Sequence, residues 1–349
     1  MPLYAFAIAR TVRRGSARDN AAPPLRAAVR LHRASLPCMT HPRDARLALA
    51  IARSLGAQPI VALEIVGAGS VNHVFAVDLG AGARWIVRFG RNPLDPDCSA
   101  KEAWCLRAAA RRGLAVPDVL ATGDFAGVGF LVQSFVAGEN ADRRRSAELW
   151  RTLGRIAHEV NEIALDSSAP EELFGRFGRD PKAAWLAHVH YNAVRLAPDD
   201  PLLELGIYAP PDRNRLRSAV ESLAERVSDF GLAHGDLVPR NVLLPPRGSP
   251  VILDWGSAQV GPVPYLDHLR IQADEAREGF SPADLAAFAR GYGVAPLGLS
   301  AILADVYLLA RLDLVRWALE RRPDRLQEIG ARSRAAVADW LRVHGARFA

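Results

Sequence analysis

The chain has 349 residues, is 50% hydrophobic and holds three cysteines, enough for two lobes with separate cores and too few for a disulfide scaffold. Its net charge of +6 sits in one segment: residues 1–38 hold seven arginines against one acid, Asp19, so residues 39–349 come out near neutral. A nucleic-acid-tracking body is therefore excluded, and so is a membrane span, because no apolar run of about eighteen residues lacks a charge.

Residues 1–38 carry Pro23-Pro24 and little sustained periodicity, and read as a disordered or untranslated extension. Their apolar opening, 2–9, precedes the arginines, the reverse of a secretory signal; an Arg-rich, acid-poor leader also fits an organelle transit peptide. Met39 is the expected true start, because an amphipathic helix over 44–55 follows directly. Cys38, Cys98 and Cys105 show no paired spacing, which fits a reducing cytoplasm.

Past that helix, 59–66, 71–79 and 84–89 are strand-like, the last two joined by Gly80-Ala-Gly-Ala83 as a turn. A helix over 99–112 stops near Gly113, two strands follow at 118–121 and 129–136, and 137–140 reads as a linker. Helices are expected over 147–163, 181–196, 212–230, 281–292, 299–319 and 324–343, with loops over 166–179 and 198–211. The pattern is α+β, with a β-rich lobe over 39–137 carrying one main helix and a mostly helical lobe over 138–349.

The most informative stretch is Leu232-Ala-His-Gly-Asp-Leu-Val-Pro-Arg-Asn-Val-Leu-Leu, followed by Val251-Ile-Leu-Asp-Trp-Gly. It spaces Asp236, Asn241 and Asp254 by five and thirteen residues between short apolar runs. In-line phosphoryl transfer asks a protein for a carboxylate that orients the attacking hydroxyl and for oxygen ligands that hold Mg²⁺ on the phosphates. One loop and the strand after it offer both.

These residues resemble the catalytic and metal-binding motifs of the aminoglycoside phosphotransferase and choline kinase-like family, small-molecule kinases with a protein-kinase-like two-lobe fold. Other pieces follow in the family's order over about 57–270. The stretch 66–77, with Gly67, Gly69 and Ser70, resembles the phosphate-covering hairpin, and 85–90 the strand whose basic residue, here Arg88, touches the phosphates. Residues 101–107 resemble the helix whose Glu102 pairs with that base, and 130–139 the adenine-contacting hinge, with Gln133, Ser134, Phe135 and Val136 offering backbone groups. The resemblance implies ATP, with GTP open, and Mg²⁺ as cofactors, with Asp236 catalytic and Asn241 and Asp254 on the metal. It implies a small-molecule hydroxyl acceptor, aminoglycoside-like as first reading and choline, homoserine or a sugar as alternatives. No nucleic acid, membrane or obligate protein partner is implied; a nucleotide-binding pseudokinase is the remaining rival.

Three departures stand out. Arg88 replaces the lysine of protein kinases, as it often does in the small-molecule family; Val238 replaces a frequent histidine; and the hairpin has only two glycines. A protein kinase would carry Ala-Pro-Glu beyond the metal aspartate, whereas Ala169-Pro-Glu171 lies before it.

Several residues have two readings. Glu102 closes a capping box with Ser99 or pairs with Arg88, which needs a partner among apolar neighbours. Asp267 braces the catalytic loop or caps the helix beginning near Tyr265, His234 props the loop, and Arg240 faces phosphate or solvent. Asp267, Asp274, Glu275 and Glu278 attract a polycationic sugar or form a solvated face. Tyr265, Phe280, Tyr307 and Trp317 enclose an alkyl ammonium or belong to the core. Two of the 44 cationic residues are Lys, so an Arg at a given place carries little information by itself.

Overall fold

The computed structural model describes residues 30–32, 42–56, 59–68, 72–80, 82–90, 99–278 and 280–348. Apart from 30–32, the expected extension 1–38 and the start at Met39 lie outside them. The chain divides into two compact units. One runs to Glu139 and also takes in Leu243–Gly256; the other comprises Asn140–Val242 and the chain from Ser257 onward.

The N-terminal unit is built on a six-stranded sheet ordered β1-β2-β3-β4-β6-β5. Its strands are β1 (Arg30–His32), β2 (Ile60–Ala68), β3 (Asn72–Leu79), β4 (Arg84–Gly90), β5 (Val119–Phe125) and β6 (Val128–Ser134). β1 runs parallel to β2, and the other pairings are antiparallel. The expected strands are all present. β5 runs past its expected end at Ala121, because Phe125–Val128 pairs close a tight hairpin through Ala126 and Gly127, both at positive φ.

Alternation puts Phe75, Val77, Val87, Phe89, Phe130 and Val132 on one face. The helix α1 (Pro42–Ser54) buries Ala48, Ile51 and Ala52 there, at the i, i+3, i+4 spacing of one helical stripe. Helix α2 (Ser99–Arg111) is buried along Lys101–Leu106, with two charged residues in that run, Lys101 and Glu102. The Cys105 thiol is buried so completely that its pKa is pushed up to about 12, which leaves it an inert packing group.

The chain leaves this unit through the short strand β7 (Glu139–Asn140). The C-terminal unit is mainly helical, with α3 (Ala147–Asn161), α4 (Pro181–Arg195), α5 (Pro201–Glu204) and α6 (Arg213–Arg226) before the loop that carries Asp236. β8 (Phe230–Ala233) leads into that loop; β9 (Val242–Leu244) and β10 (Val251–Ile252), which follow it, fall in the stretch that belongs to the N-terminal unit, β9 from Leu243 on. β11 (Gln259–Pro262) then pairs antiparallel with β8, Gln259 opposite Ala233 and Pro262 opposite Phe230. Helices α7 (Tyr265–Glu278), α8 (Pro282–Tyr292), α9 (Pro296–Arg321) and α10 (Leu326–His344) complete the unit.

Two departures from the sequence reading have a local cause. The helix expected to 230 stops at Arg226, since Val227 is already extended and Phe230 belongs to β8. The expected loop over 198–211 contains α5, capped by the Asp200 side chain, which accepts the Leu202 amide at 3.1 Å.

Helix α9 is the central element of this unit, with Leu303, Val306, Leu309, Leu312 and Val315 in the core. It also buries Asp305, Asp313 and Arg316, each of which is paired. Arg316 donates to both Asp200 oxygens at 2.6 and 2.9 Å; Asp305 accepts from Arg226 and Trp340; Asp313 accepts from Arg176 and Asn192. Removing one member of such a pair strands a buried charge, so these bridges tie α9 to α4, α6 and α10 in one register.

Candidate functional site

In the C-terminal unit the loop after β8 turns at Gly235, where φ is +74 and a Cβ would lie 2.2 Å from the Ser257 carbonyl oxygen. Only glycine fits that approach. The Gly235 amide donates to Asp267 Oδ1 at 2.7 Å, and the Asp236 amide to His234 Nδ1 at 3.2 Å. Asp267, 2% exposed, thus braces the loop from the first turn of α7; burial pushes its carboxyl above the usual carboxylate value. His234 is fully buried and props the same turn.

Asp236 is set by three side chains. Its Oδ1 accepts from Arg270 Nε at 2.6 Å and from Arg240 Nη2 at 2.7 Å, and its Oδ2 from Asn241 Nδ2 at 2.9 Å. Burial works against ionisation, yet the Arg270 and Arg240 guanidiniums reverse it and hold the carboxyl below its usual range. The result is an oriented, weakly basic carboxylate whose Oδ2 carries the lighter hydrogen-bond load. A 3-10 turn over Pro239–Asn241 places both Arg240 and Asn241. Asn241 also gives its amide hydrogen to the Asp236 carbonyl at 2.9 Å, which turns its own carbonyl oxygen away from Asp236.

In the N-terminal unit Arg88 joins two carboxylates. Its Nη1 lies 2.8 Å from Glu102 Oε2, and its Nη2 donates to Asp254 Oδ1 at 2.9 Å. Arg88 and Glu102 are buried, whereas half of the Asp254 side chain is exposed (49%). Of Glu102's two readings, the structure shows the pair with Arg88. Asp254 has φ +59, one of two non-glycine residues at positive φ among the described residues. That conformation costs about 1–3 kcal/mol and persists only where surroundings over-determine it.

The donor chemistry fits a hard divalent cation. In the C-terminal unit Asn241 spends its amide nitrogen on Asp236 and keeps an amide oxygen as a ligand donor; in the N-terminal unit Asp254 spends Oδ1 on Arg88 and keeps a second carboxylate oxygen. Among the described residues no group of three or more His, Cys, Asp or Glu could hold a metal by itself.

The remaining expected positions lie as follows. Gly67 is in β2 opposite Val74, while Gly69 and Ser70 lie outside the described residues. Gln133 and Ser134 end β6; Ser134 Oγ accepts the Asp118 amide at 2.9 Å, and Phe135 lies under the Arg84 guanidinium at 4.5 Å. Val136 follows, half-buried. Tyr265 is buried in the C-terminal core, with Tyr307 and Trp317 packed against it, and Phe280 meets Trp150 edge-on. The side chains of Asp274, Glu275 and Glu278 lie outside the described residues.

Sequence reasoning missed Arg270. In a chain that writes nearly every cation as Arg it carried no mark of its own. The available signal was Asp267 and Arg270, one turn apart in the apolar run Tyr-Leu-Asp-His-Leu-Arg-Ile: charges buried on one face need partners in one place.

A family model for the phosphotransferase enzyme family matches residues 62–303, well over half the chain. The chain belongs to that family. It is a small-molecule phosphotransferase with a two-lobe α+β fold, as the order of its motifs implies. Among solved structures it is similar to a spectinomycin phosphotransferase in complex with ADP and spectinomycin, at 15% identity, 86% of this chain, 95% of that one and TM-score 0.53. It is similar to a macrolide 2′-phosphotransferase from Brachybacterium faecium at 18% identity, 83% and 97% coverage and TM-score 0.59. A third, an aminoglycoside phosphotransferase with GDP and kanamycin, matches at 17% identity, 84% and 99% coverage and TM-score 0.55. At these identities the likeness is one of fold. No curated protein matches the sequence significantly. Among the described residues no helix is long and apolar enough to cross a membrane.

Proposed function

We propose that this enzyme transfers the γ-phosphate of ATP directly to a hydroxyl of a small molecule, with an aminoglycoside-like acceptor as the first candidate. The observation that carries the reading is Asp236, held ionised by Arg270, Arg240 and Asn241 in a His-Gly-Asp-x-x-x-x-Asn loop. In that state its Oδ2 accepts the hydrogen of the acceptor hydroxyl and aims the oxygen. The oxygen bonds to the γ-phosphorus as the bond from that phosphorus to the bridging oxygen breaks, and no phospho-enzyme forms. A carboxylate with two guanidiniums on it is a poor base, which suits a loose transition state that needs alignment more than deprotonation. The proton passes to the transferred phosphate or to solvent.

Arg88, directed by Glu102, supplies positive charge for the α- and β-phosphates, with Gly67, Gly69 and Ser70 as hairpin amides and Gln133–Val136 as backbone contacts for the base. Asn241 and Asp254 supply oxygens to Mg²⁺, which when bound neutralises phosphate charge. Solved relatives hold ADP in one case and GDP in another, so ATP and GTP belong in the same test. Choline, homoserine and sugars are the alternative acceptors. A pseudokinase is the weaker reading, because Asp236 and Asp254 are both present.

The test is a nucleotide-consumption screen with ATP and GTP over aminoglycosides, macrolides, choline, ethanolamine, homoserine and simple sugars, with Asp236→Ala alongside. Acceptor-dependent turnover that vanishes in the variant is expected. Turnover equal in both proteins would defeat the assignment, and nucleotide binding without turnover on any acceptor would favour the pseudokinase.

A further inference from the structure

Two adjacent residues of α2 hold opposite ends of the tripeptide Asp254-Trp-Gly256. Glu102 acts through Arg88, whose second nitrogen reaches the Asp254 carboxylate at 2.9 Å. Lys101, 7% exposed, donates from Nζ to the Gly256 carbonyl oxygen at 2.6 Å. The fit is close on the third side as well: a Cβ on Gly256 would lie 2.9 Å from Glu102 Oε1 and 3.6 Å from Asp254 Oδ1. Trp255, fully buried, pins the middle of the tripeptide.

The residue type at 101 is informative. This chain uses Lys at two positions, Lys101 and Lys182, among 44 cationic residues. A guanidinium is a broad planar fork suited to a carboxylate's two oxygens, whereas an ammonium is a compact point charge that can meet one carbonyl oxygen in a narrow space. Position 101 presents that second geometry.

We infer that Lys101 is a positioning residue: by fixing the Gly256 carbonyl it holds Asp254 in its left-handed conformation and so sets the direction of the Asp254 carboxylate. Asp254, at φ +59, is thus held by its carboxylate on Arg88 and, two residues on, by the Gly256 carbonyl on Lys101. In this role Lys101 acts through Asp254 and not on the nucleotide or the acceptor. The inference rests on the reading of Asp254 as a Mg²⁺ ligand.

The test measures binding of the β,γ-imido analogue of ATP by the full chain, once in EDTA and once across a Mg²⁺ titration. Lys101→Met keeps the apolar stem and removes the donor. Loss of an outer-shell partner typically weakens a metal site by about 10–100-fold, so the Mg²⁺ half-saturation should rise by about tenfold or more. Affinity in EDTA should stay within about twofold, a split that general loosening of the fold would not produce. Lys182→Met, at the exposed start of α4, should match wild type in both conditions. Should Lys101→Met fail to fold, Lys101→Arg keeps the charge but not the compact shape, and its Mg²⁺ half-saturation should also rise.

A folded Lys101→Met, or in its place Lys101→Arg, with wild-type Mg²⁺ dependence overturns the inference, and so does a loss equally large in EDTA. The wild-type arm separates the two ideas. If wild type binds the analogue with no Mg²⁺ dependence, the assignment of Asp254 fails. If that dependence exists and Lys101→Met leaves it intact, only the role of Lys101 fails.

Discussion

Replacing Arg270 by Met tests how Asp236 is kept ionised. Arg270 and Asp236 side chains are 9% and 15% exposed, so solvent screens their 2.6 Å contact little. A hydrogen bond to a charged group contributes about 1.5–3 kcal/mol. Removing one member of a fully buried ion pair costs about 3–5 kcal/mol. Arg240 and Asn241 remain on Asp236, and Met spares the desolvation of the guanidinium, so the expected loss is about 2 kcal/mol. For a unit of this size that lowers Tm by about 4–8 °C.

The direction with pH follows from linkage. The folded-state pKa of Asp236 is depressed, so its stabilisation is complete above the ordinary carboxylate value near 3.8 and is lost as pH falls through the lower folded value. Urea unfolding of wild type and Arg270→Met should show a constant gap between about pH 5 and 8, narrowing only in more acid solution. A gap below about 0.5 kcal/mol would refute the pairing. A gap that changes steeply near neutrality would assign it to a histidine instead.

Three further outcomes are expected. Asp254→Ala should abolish the Mg²⁺ dependence of the nucleotide-induced thermal shift, so a wild-type shift with Mg²⁺ would contradict the ligand assignment. Gly235→Ala forces both a left-handed alanine and a 2.2 Å clash with the Ser257 carbonyl; chemical denaturation should show a loss of about 2 kcal/mol or more, and a loss under about 0.5 would mean the loop can shift. Gly256→Ala should displace Glu102 and lower nucleotide affinity, read by calorimetry, whereas unchanged affinity would show that Arg88 does not depend on Glu102 for its direction.

Most elements were legible because their signals are local. The alternation in 84–89, the Gly-Ala-Gly-Ala turn before it and the Ser281 capping box at the start of α8 each follow from neighbouring residues. β11 was not legible: four residues, Gln259 to Pro262, with a glycine and a proline among them, become a strand only because β8 lies opposite. The same division holds at the site. Asp236, Asn241 and Asp254 announce themselves by spacing along the chain. Arg270 and Lys101 do not, because what distinguishes them is the atom at the far end of a side chain, 34 and 155 positions away in sequence.

The return of Leu243–Gly256 to the N-terminal unit means that this unit is not made by one continuous stretch of polypeptide. Ribosomal synthesis up to Glu139 leaves Arg88 with Glu102 but without Asp254, and Lys101 without the Gly256 carbonyl. A fragment ending there would lack both contacts, and supplying residues 243–256 as a separate peptide should restore them. Completion of the first lobe therefore waits until the second is more than half translated.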